Sequence, residues 1–529
     1  MSKFRYTLIQ VFFAIAFLLI IAKLSQYQVF QRDKYKGQGY FNSDINIVRG
    51  EILDRNSKVL ALDLNKYTLE YNPIDETEDR RKLAVELEKI CGFTNKRLLY
   101  SNHSLILAHN LSREQANKIR ALKSKVLYLR KIRRRFYPQE NMASHIIGYV
   151  DLYGQAKQGL ESKYSDYLKK NPESRLYLSI DSRLQVFAEK ALRERIIETN
   201  AVRGTVIVME VHSGEILAWA VYPDYNPNKY FDYENNSIKN WALTDVYQPG
   251  SIFKIITVSS ALDSGTISPS YTFTDIGYLQ VDKWKIKNHD YVAGSTPSRT
   301  LNLQELFERS SNPFASHLAL KMGAKTFYTY IRKFGFGAKT GIELDGETNG
   351  ILRKHHSWGS SDTATTGIGQ GAISVTPLQL LAGANVVANN GRWVKPTLLK
   401  DDPLKKKETK KSKKEEEADL VIKPEIAKLV TNLLTRSIHN NTVTRHTIAG
   451  NVPGINIAGK TGTAQKSNGN GGYSHSSTVA SFLGFMPAEN PKYIMLVVID
   501  DPKAAGGWGD TVAGPLFNRV AEYTKNLYE

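Results

Sequence analysis

Cysteine is almost missing from the chain. Cys91 is the single one among 529 residues, so no intramolecular disulfide can form and no cysteine-rich metal site exists. The 11 histidines contain no His-Glu-x-x-His spacing, which leaves a zincin-type metal site without support. No repeat of solenoid or propeller period occurs. Only one long apolar run is present, which excludes a polytopic membrane protein. Hydrophobic residues make up 41% and charged residues 23%, enough for sizeable cores and a soluble surface, so a mainly disordered chain is excluded too. The length implies two to four domains. An excess of 71 Lys and Arg over 52 Asp and Glu gives a formal charge of +19, which suits an anionic partner and a solvated basic surface alike.

The apolar run is Thr7–Leu24, TLIQVFFAIAFLLIIAKL, with one charge at Lys23. At about 1.5 Å per residue it is long enough for a thin hydrocarbon core. A cleaved signal peptide and a buried helix are the rival readings. The nearby Ala-x-Ala, Ala14-Ile15-Ala16, lies inside the run, where a signal peptidase does not easily act, and this favours an uncleaved anchor. The cations do not orient it, because Lys3 and Arg5 precede the run while Lys23, Arg32, Lys34 and Lys36 follow it. The expected order is a cytoplasmic tail over 1–6, a transmembrane anchor over 7–24, a non-catalytic pedestal domain over 25–180 and a catalytic domain over 181–529.

Arg49–Asp63, RGEILDRNSKVLALD, reads as two strands about an Asp54–Ser57 turn. Helical patterns follow at 76–90 and 112–124, and 169–173 reads as a linker. Gly204–Tyr222 reads as two apolar strands about His212-Ser213-Gly214. Helical patterns dominate from 251 to about 389, and strands return at 455–464, 479–485 and 493–499. Strands from both ends around a helical middle predict one sheet with helices packed on it, an α+β fold. Lys400–Glu417, with eight lysines and six acids, has too few apolar positions to join a core and reads as a surface loop.

Three short motifs carry chemistry. In Tyr247-Gln-Pro-Gly-Ser251-Ile-Phe-Lys254 a Pro-Gly turn leads into a helix that Ser251 opens and that stops near Gly265. Its apolar residues cover most of the circumference, which marks a buried helix. Ser251 and Lys254 are about one turn apart and share a face, and a desolvated lysine there has a lowered pKa and can take the serine proton. This is the only Ser-x-x-Lys in the chain. In Arg309-Ser310-Ser311-Asn312 a hydroxyl and an amide can face one cavity, although alone the stretch reads as a helix cap. Gly459-Lys460-Thr461-Gly462-Thr463 ends an alternating strand. At a sheet edge it can pair with an extended peptide while Lys460 and Thr463 meet a carboxylate; alone it is an ordinary edge strand with a solvated lysine.

Taken in this order, Ser-x-x-Lys, Ser-x-Asn and Lys-Thr-Gly resemble the penicilloyl serine transferases, specifically the class B penicillin-binding proteins. Arg49-Gly50-Glu51 through Asn56 is similar to the family's pedestal signature. Arg135-Phe-Tyr-Pro138 through Gly148, and Gly159-Leu-Glu161, resemble the stretch leading to the catalytic domain. Thr366 to Gly371 and Val375 to Gln379 resemble the segment before the third motif. The resemblance implies an N-terminal anchor, an elongated mixed pedestal and a transpeptidase domain, namely an antiparallel sheet flanked by helices with an all-helical subdomain. It implies a single-pass protein of the bacterial cytoplasmic membrane, with its catalytic domain outside.

By the same resemblance Ser251, deprotonated through Lys254, attacks the penultimate D-Ala carbonyl of a peptidoglycan stem peptide. Backbone amides of Ser251 and Thr463 form the oxyanion hole. Ser310 passes a proton to the leaving D-Ala under the influence of Lys460, Asn312 binds the donor, and Lys460, Thr461, Gly462 and Thr463 bind near its carboxylate. An amine of a second stem resolves the acyl-enzyme, and β-lactam antibiotics trap Ser251. Implied partners are a membrane-embedded glycosyltransferase of the shape/division family and other divisome proteins, with no nucleic acid, no metal and no cofactor. The Ser361-Asp-Thr-Ala-Thr and Val375 contexts resemble the division (FtsI-type) branch more than the elongation branch. The alternatives are a side-wall enzyme, a D,D-carboxypeptidase sharing every motif, and a penicillin-sensing or scaffold protein; a β-lactamase is disfavoured by the pedestal and by the lack of a Glu-x-x-Leu-Asn pattern between Asn312 and Lys460.

The chain departs from the family pattern at Ser57, where Gly is usual, and at Trp241, where Arg is common; the Lys/Glu insertion and the join at 169–178 are also atypical. Two decoys are set aside. Gly454 to Thr461 matches a nucleotide-binding P-loop by letter, but a strand stands where the loop is needed and no helix follows. Lys339-Thr340-Gly341 is followed by Glu343, which would repel a substrate carboxylate.

Overall fold

The computed structural model describes residues 3–25, 48–73, 79–92, 103–404, 419–439, 449–467 and 473–529. Residues 405–417 of the Lys/Glu-rich insertion lie outside the described residues. The chain forms two compact units: Met1–Val48, Leu64–Arg134 and Val150–Gln155 in one, and Arg49–Asp63, Arg135–Tyr149 and Ala156–Glu529 in the other.

In the larger unit Val206, Ile207, Val208 and Met209 are consecutive and all fully buried, which a strand achieves only when both its faces are covered. Five strands, β1 (Arg203–Glu210), β2 (Ile216–Tyr222), β3 (Ala458–Ser467), β4 (Tyr473–Met486) and β5 (Tyr493–Asp500), form an antiparallel sheet in the order β3-β4-β5-β1-β2. Tyr493 pairs with Glu210 and Asp500 with Arg203, so strands from both ends of the unit close one sheet, as their order along the chain predicts. The helices used below are α1 (Ser182–Thr199), α2 (Lys254–Asp263), α3 (Leu303–Arg309), α4 (Asn312–Met322), α5 (Pro377–Ala388), α6 (Pro424–His439) and α7 (Gly514–Tyr528). Val206, Val208 and Val497 share one core with α1 and α7, where Phe187 stacks on Tyr523 at 4.0 Å between centroids. Ile207, Met209 and Leu496 share the other with α2, α5 and α6. Every residue of α5 is buried, as an all-round apolar helix requires. Each large apolar side chain so buried contributes about 1.5–3 kcal/mol.

The pedestal signature and the two stretches that lead to the catalytic domain meet inside this unit. Glu161, fully buried, accepts from Arg49 Nε at 3.0 Å and from Arg135 Nε at 2.5 Å, and its carbonyl accepts from Arg49 Nη2 at 2.9 Å. Arg135 Nη1 also donates to Asp63 Oδ1 at 3.1 Å, and Asp63 Oδ2 accepts from the Arg49 backbone N–H at 2.8 Å. Removing one member of a buried ion network leaves the others charged and unpaired, at a cost of about 3–5 kcal/mol. Glu161→Ala is therefore expected to lower the unfolding free energy by about that amount in urea denaturation; a loss below about 1 kcal/mol would show that the arginines find other partners.

In the smaller unit the outer part of the strand Val59–Tyr71 pairs with Leu105–Leu111, and Leu69, Leu107, Leu87 and Ile119 form its core with helices Arg80–Cys91 and Arg113–Ala121. Ser112 and Gln115 cap the second helix reciprocally. The N-terminal helix is Lys3–Ser25, with Phe12, Phe13, Phe17 and Leu18 exposed. Among the described residues no helix is long and apolar enough to cross a membrane.

Three expectations are corrected, and one departure from the family pattern is explained. The stretch 251–389 is not all helical: Phe273–Asp275 pairs with Arg299–Leu301, and Tyr278–Val281 with Trp284–Lys287. These strands are too short and polar to show alternation, so the subdomain is mixed rather than all-helical. Residues 169 and 170 end a helix, Ser165–Lys170, instead of starting a linker. The strand placed at 455–464 begins at Ala458, because Gly454 turns with φ +74° and Val452 bridges back to Ile455. Ser57 adopts φ 68°, the left-handed conformation that explains why glycine is usual there.

Candidate active site

Ser251 does not open an α-helix directly. Gly250–Phe253 forms a 3-10 turn, and α2 starts at Lys254. Gly250 has φ +59°, and its N–H donates to the Gly369 carbonyl at 3.1 Å. A Cβ on Gly369 would meet the Gly250 carbonyl oxygen at 2.3 Å, so Gly369 admits no side chain, while the left-handed φ of Gly250 favours glycine there. Tyr247 and Val375 exchange backbone hydrogen bonds of 2.9 and 2.8 Å. The Thr366–Gln379 segment thus clamps the turn that presents Ser251.

Lys254 is fully buried. Its Nζ lies 3.1 Å from Ser251 Oγ, 3.1 Å from Ser310 Oγ, 2.5 Å from the Ser310 carbonyl oxygen and 2.7 Å from Asn312 Oδ1. The carbonyl and the amide oxygen can only accept, so they take two hydrogens. In the neutral amine the lone pair is then left for the hydroxyls. Burial, and after it the Lys460 cation, hold the Lys254 ammonium well below the usual lysine range, while the Asp275 carboxylate pulls the other way.

The second motif is built by two helix ends. Ser310 terminates α3 in the left-handed conformation, φ 51°, and its carbonyl meets Lys254. Ser311 caps α4, accepting from the Phe314 N–H at 3.1 Å. Asn312 Oδ1 is committed to Lys254, and its Nδ2 donates to the Lys287 carbonyl at 2.9 Å. Sequence reasoning missed Asp275. This buried carboxylate accepts from Ser311 Oγ at 2.6 Å, Gly277 N–H at 2.7 Å and Asn288 Nδ2 at 2.9 Å, and Asn288 Oδ1 in turn accepts from the Asn312 N–H at 2.9 Å. The Asp275-Ile-Gly277 turn signature was its only trace in the sequence.

The third motif lies on β3, the edge strand of the sheet. Lys460 is buried, and its ammonium is lowered by burial to about 8 against the pull of Asp510. Its Nζ contacts are long ones to Thr461, 3.2 Å to Oγ1 and 3.3 Å to the carbonyl, which leaves the cation for an incoming anion. Among the described residues no hydrogen bond joins Lys460 to Ser310. Thr463 Oγ1 accepts from the Gly509 N–H at 3.1 Å and keeps its own hydrogen to donate.

Ser251, Ser310, Asn312, Lys460, Thr461 and Thr463 all line one cavity of about 460 Å³. Lys254 is buried beside Ser251, behind the wall. Gly462 is not on the wall: a Cβ there would meet Ser481 Oγ at 2.4 Å and Ile252 Cγ1 at 3.0 Å, so its smallness serves packing. His289, Gln370 and Trp508 also line the cavity and were not found from sequence. The other Lys-Thr-Gly is structural: Thr340 N–H and Oγ1 donate to Glu347 at 2.6 Å each, Glu343 pairs with Lys395 at 2.9 Å, and Lys339 is exposed. At Trp241 the indole carries the Arg203 guanidinium at 4.4 Å over its ring, and Arg203 pairs with Asp245 and Asp500.

A serine hydroxyl on a buried neutral-leaning amine, facing a cation on an edge strand, defines a serine acyl-transfer site in a sheet-and-helix domain. The comparisons refine that class. The family model described as the penicillin binding protein transpeptidase domain matches residues 204–522, and that of the penicillin-binding protein dimerisation domain matches 44–175. The chain belongs to the class B penicillin-binding proteins. It is 30% identical to stage V sporulation protein D of Bacillus subtilis over 98% of this chain and 84% of that protein. It is 27% identical to the peptidoglycan D,D-transpeptidase FtsI of Escherichia coli over 96% of this chain and 88% of that protein. Penicillin binding protein 3 of Mycobacterium tuberculosis, solved in complex with aztreonam, shares the fold with a TM-score of 0.71 at 23% identity, covering 91% of this chain and 96% of that one.

Proposed function

We propose that the chain is a serine D,D-transpeptidase that cross-links peptidoglycan stem peptides in septal wall synthesis. The observation that carries this reading is the 3.1 Å approach of a buried, pKa-lowered Lys254 to Ser251 in a cavity that also holds Lys460. Ser251 Oγ attacks the penultimate D-Ala carbonyl carbon and its proton passes to Lys254. The carbon–nitrogen bond breaks, and the leaving D-Ala amine takes a proton through the Ser310 hydroxyl. Lys460 and Thr463 hold the donor carboxylate, while Asn312 fixes Lys254 and offers its second amide hydrogen to the donor. Backbone N–H groups of Ser251 and Thr463 stabilise the oxyanion, a contribution of about 2.7–4 kcal/mol per donor. An acceptor amine then attacks the ester carbonyl, the cross-link forms and Ser251 regains its proton. β-Lactams acylate the same hydroxyl.

The N-terminal apolar segment is proposed as a single-pass anchor in the cytoplasmic membrane, with the catalytic domain outside. A membrane-embedded glycosyltransferase and other divisome proteins are the proposed partners. The division at residue 180 and the roles given above to Ser251, Lys254, Ser310, Asn312, Lys460 and Thr463 belong to this reading. The test incubates purified full-length protein with a D-Ala-D-Ala-ended peptide and a labelled amine. A peptide–amine product that disappears in Ser251→Ala is expected; hydrolysed peptide alone would identify a carboxypeptidase instead.

A further inference from the structure

Asp275 ends the strand Phe273–Asp275, is buried, and does not line the cavity that holds Ser251. Its Oδ2 accepts from Ser311 Oγ at 2.6 Å and from Asn288 Nδ2 at 2.9 Å, and its Oδ1 accepts from the Gly277 N–H at 2.7 Å. A carboxylate only accepts, so it fixes the direction of both side-chain partners. The one hydrogen of the Ser311 hydroxyl goes to Asp275, which leaves the oxygen to accept from the Phe314 N–H and start α4. The Asn288 amide must turn its nitrogen to Asp275, so its oxygen faces the Asn312 N–H at 2.9 Å; turned over, it would set donor against donor. The Asn288 backbone is held as well, its N–H donating to the Gly277 carbonyl at 2.9 Å. Asn312 then gives Nδ2 to the Lys287 carbonyl and Oδ1 to Lys254 Nζ. Ser311 follows Ser310, whose carbonyl lies 2.5 Å from the same Nζ. Two of the four oxygens around Lys254 are therefore tied to one carboxylate. The charged groups around it are Arg299, opposite in the strand pair, and Arg309 and Asp290, which share a cavity of about 160 Å³ with it. Among the described residues none of these three bonds to Ser311 or Asn288, so Asp275 has no substitute.

We infer that Asp275 is a positioning residue for acyl transfer: through Ser311 and Asn288 it holds the Ser310 carbonyl and Asn312 Oδ1 on Lys254. The inference rests on the reading above, in which Lys254 takes the Ser251 proton. A catalytic group must be held to within about 0.5 Å by the residues behind it, and a misplacement of about 1 Å lowers a rate by roughly 10²-fold. The charge of Asp275 acts in a known direction too. Lys254 is faced by the Lys460 cation from β3, which disfavours its ammonium, and by Asp275, which favours it. His289, Asp290, Glu308, Arg309 and Asp510 line the cavity beyond. Neutralising Asp275, and loosening the Asn312 oxygen that accepts from Nζ, both make the ammonium less stable. The rising limb of acylation, which follows loss of the Lys254 proton, then moves to lower pH.

The experiment follows acylation of full-length protein by labelled penicillin at varied concentration and pH, which separates the noncovalent Kd from the acylation rate constant. Asp275→Asn is expected to lower the rate constant about ten- to a hundredfold. The Kd should change less than about threefold, since a residue off the cavity wall does not touch the ligand. The rising limb should move to lower pH. Asn288→Ala cuts the link to Asn312 while leaving the carboxylate in place, and is expected to show the same split between rate constant and Kd; if Asp275→Asn does not fold, this variant decides. Asp282→Asn removes the same charge from an exposed turn on the neighbouring hairpin and should leave the rate and its pH dependence unchanged. A rate constant within about threefold of wild type in both Asp275→Asn and Asn288→Ala, or a loss shared equally by Kd and rate constant, overturns the inference. So does a limb that stays in place in Asp275→Asn, which would mean that the carboxylate only packs the start of α4. If penicillin does not acylate Ser251 in the wild type, the reading of Lys254 itself fails and this inference falls with it, a result told apart by the unmutated protein alone.

Discussion

Lys254→Ala is expected to lower the acylation rate with labelled penicillin by about 10²- to 10⁴-fold, the usual worth of a positioned general base. The magnitude follows from what Nζ does: among the described residues it is the only amine within hydrogen-bond reach of Ser251 Oγ, and burial favours its proton-accepting form. Lys254→Arg is expected to fail nearly as badly, since a guanidinium stays protonated. Both variants leave Asn312 Oδ1 and the Ser310 carbonyl without their partner, so circular dichroism must first confirm folding. The wild-type pH profile carries the sign. Acylation rises with pH as Lys254 loses its proton, with that limb far below the ordinary lysine range. It falls again as pH passes about 8, where Lys460 becomes neutral and no longer attracts the carboxylate. A rate that climbs without a break toward pH 10.5 would mean that Lys254 is an ordinary ammonium. Retention of more than a tenth of the rate in Lys254→Ala would remove it from the mechanism.

Lys460→Ala is expected to slow acylation ten- to a hundredfold or more, whereas Lys339→Ala stays near wild type. A charged hydrogen bond to a substrate carboxylate is worth about 1.5–3 kcal/mol, and each 1.36 kcal/mol is tenfold in rate. Lys460 is buried in the wall of the cavity, with only long contacts to its own neighbour. Lys339 is exposed beside a turn whose threonine and glycine amides serve Glu347. Gel-based acylation kinetics on the two folded variants decide it: equal losses, or a larger loss at Lys339, would put the third motif on the wrong segment.

The parts visible in the sequence are those written in local pattern. Long apolar strands such as Tyr493–Asp500 announced themselves, and joining them to Arg203–Tyr222 needed only the strand order. The three motifs stood out because Ser251, Lys254, Ser310 and Lys460 act through short spacings on helix starts, helix ends and one edge strand. Asp275 stayed hidden because its partners, Asn288 and Ser311, lie 13 and 36 residues away, and no periodicity links a strand end to a helix cap. Gly462 misled for a related reason: it sits within a functional motif, yet its missing Cβ makes room for Ser481. The short strands at 273–301 were overlooked because polar hairpins of three or four residues carry no alternation to read. At Glu161 the sequence pointed to three stretches without saying that one buried carboxylate joins two of them.

The central claim, that Ser251 is the nucleophile, is tested most directly by intact-protein mass spectrometry followed by peptide mapping after incubation with penicillin. One adduct on the tryptic peptide that contains Ser251, absent from Ser251→Ala with the fold retained, is the predicted result. Removal of one cavity hydroxyl should change stability by no more than about 0.5–1 kcal/mol, so the control protein will be folded. An adduct on any other serine, or undiminished labelling of Ser251→Ala, would contradict the account.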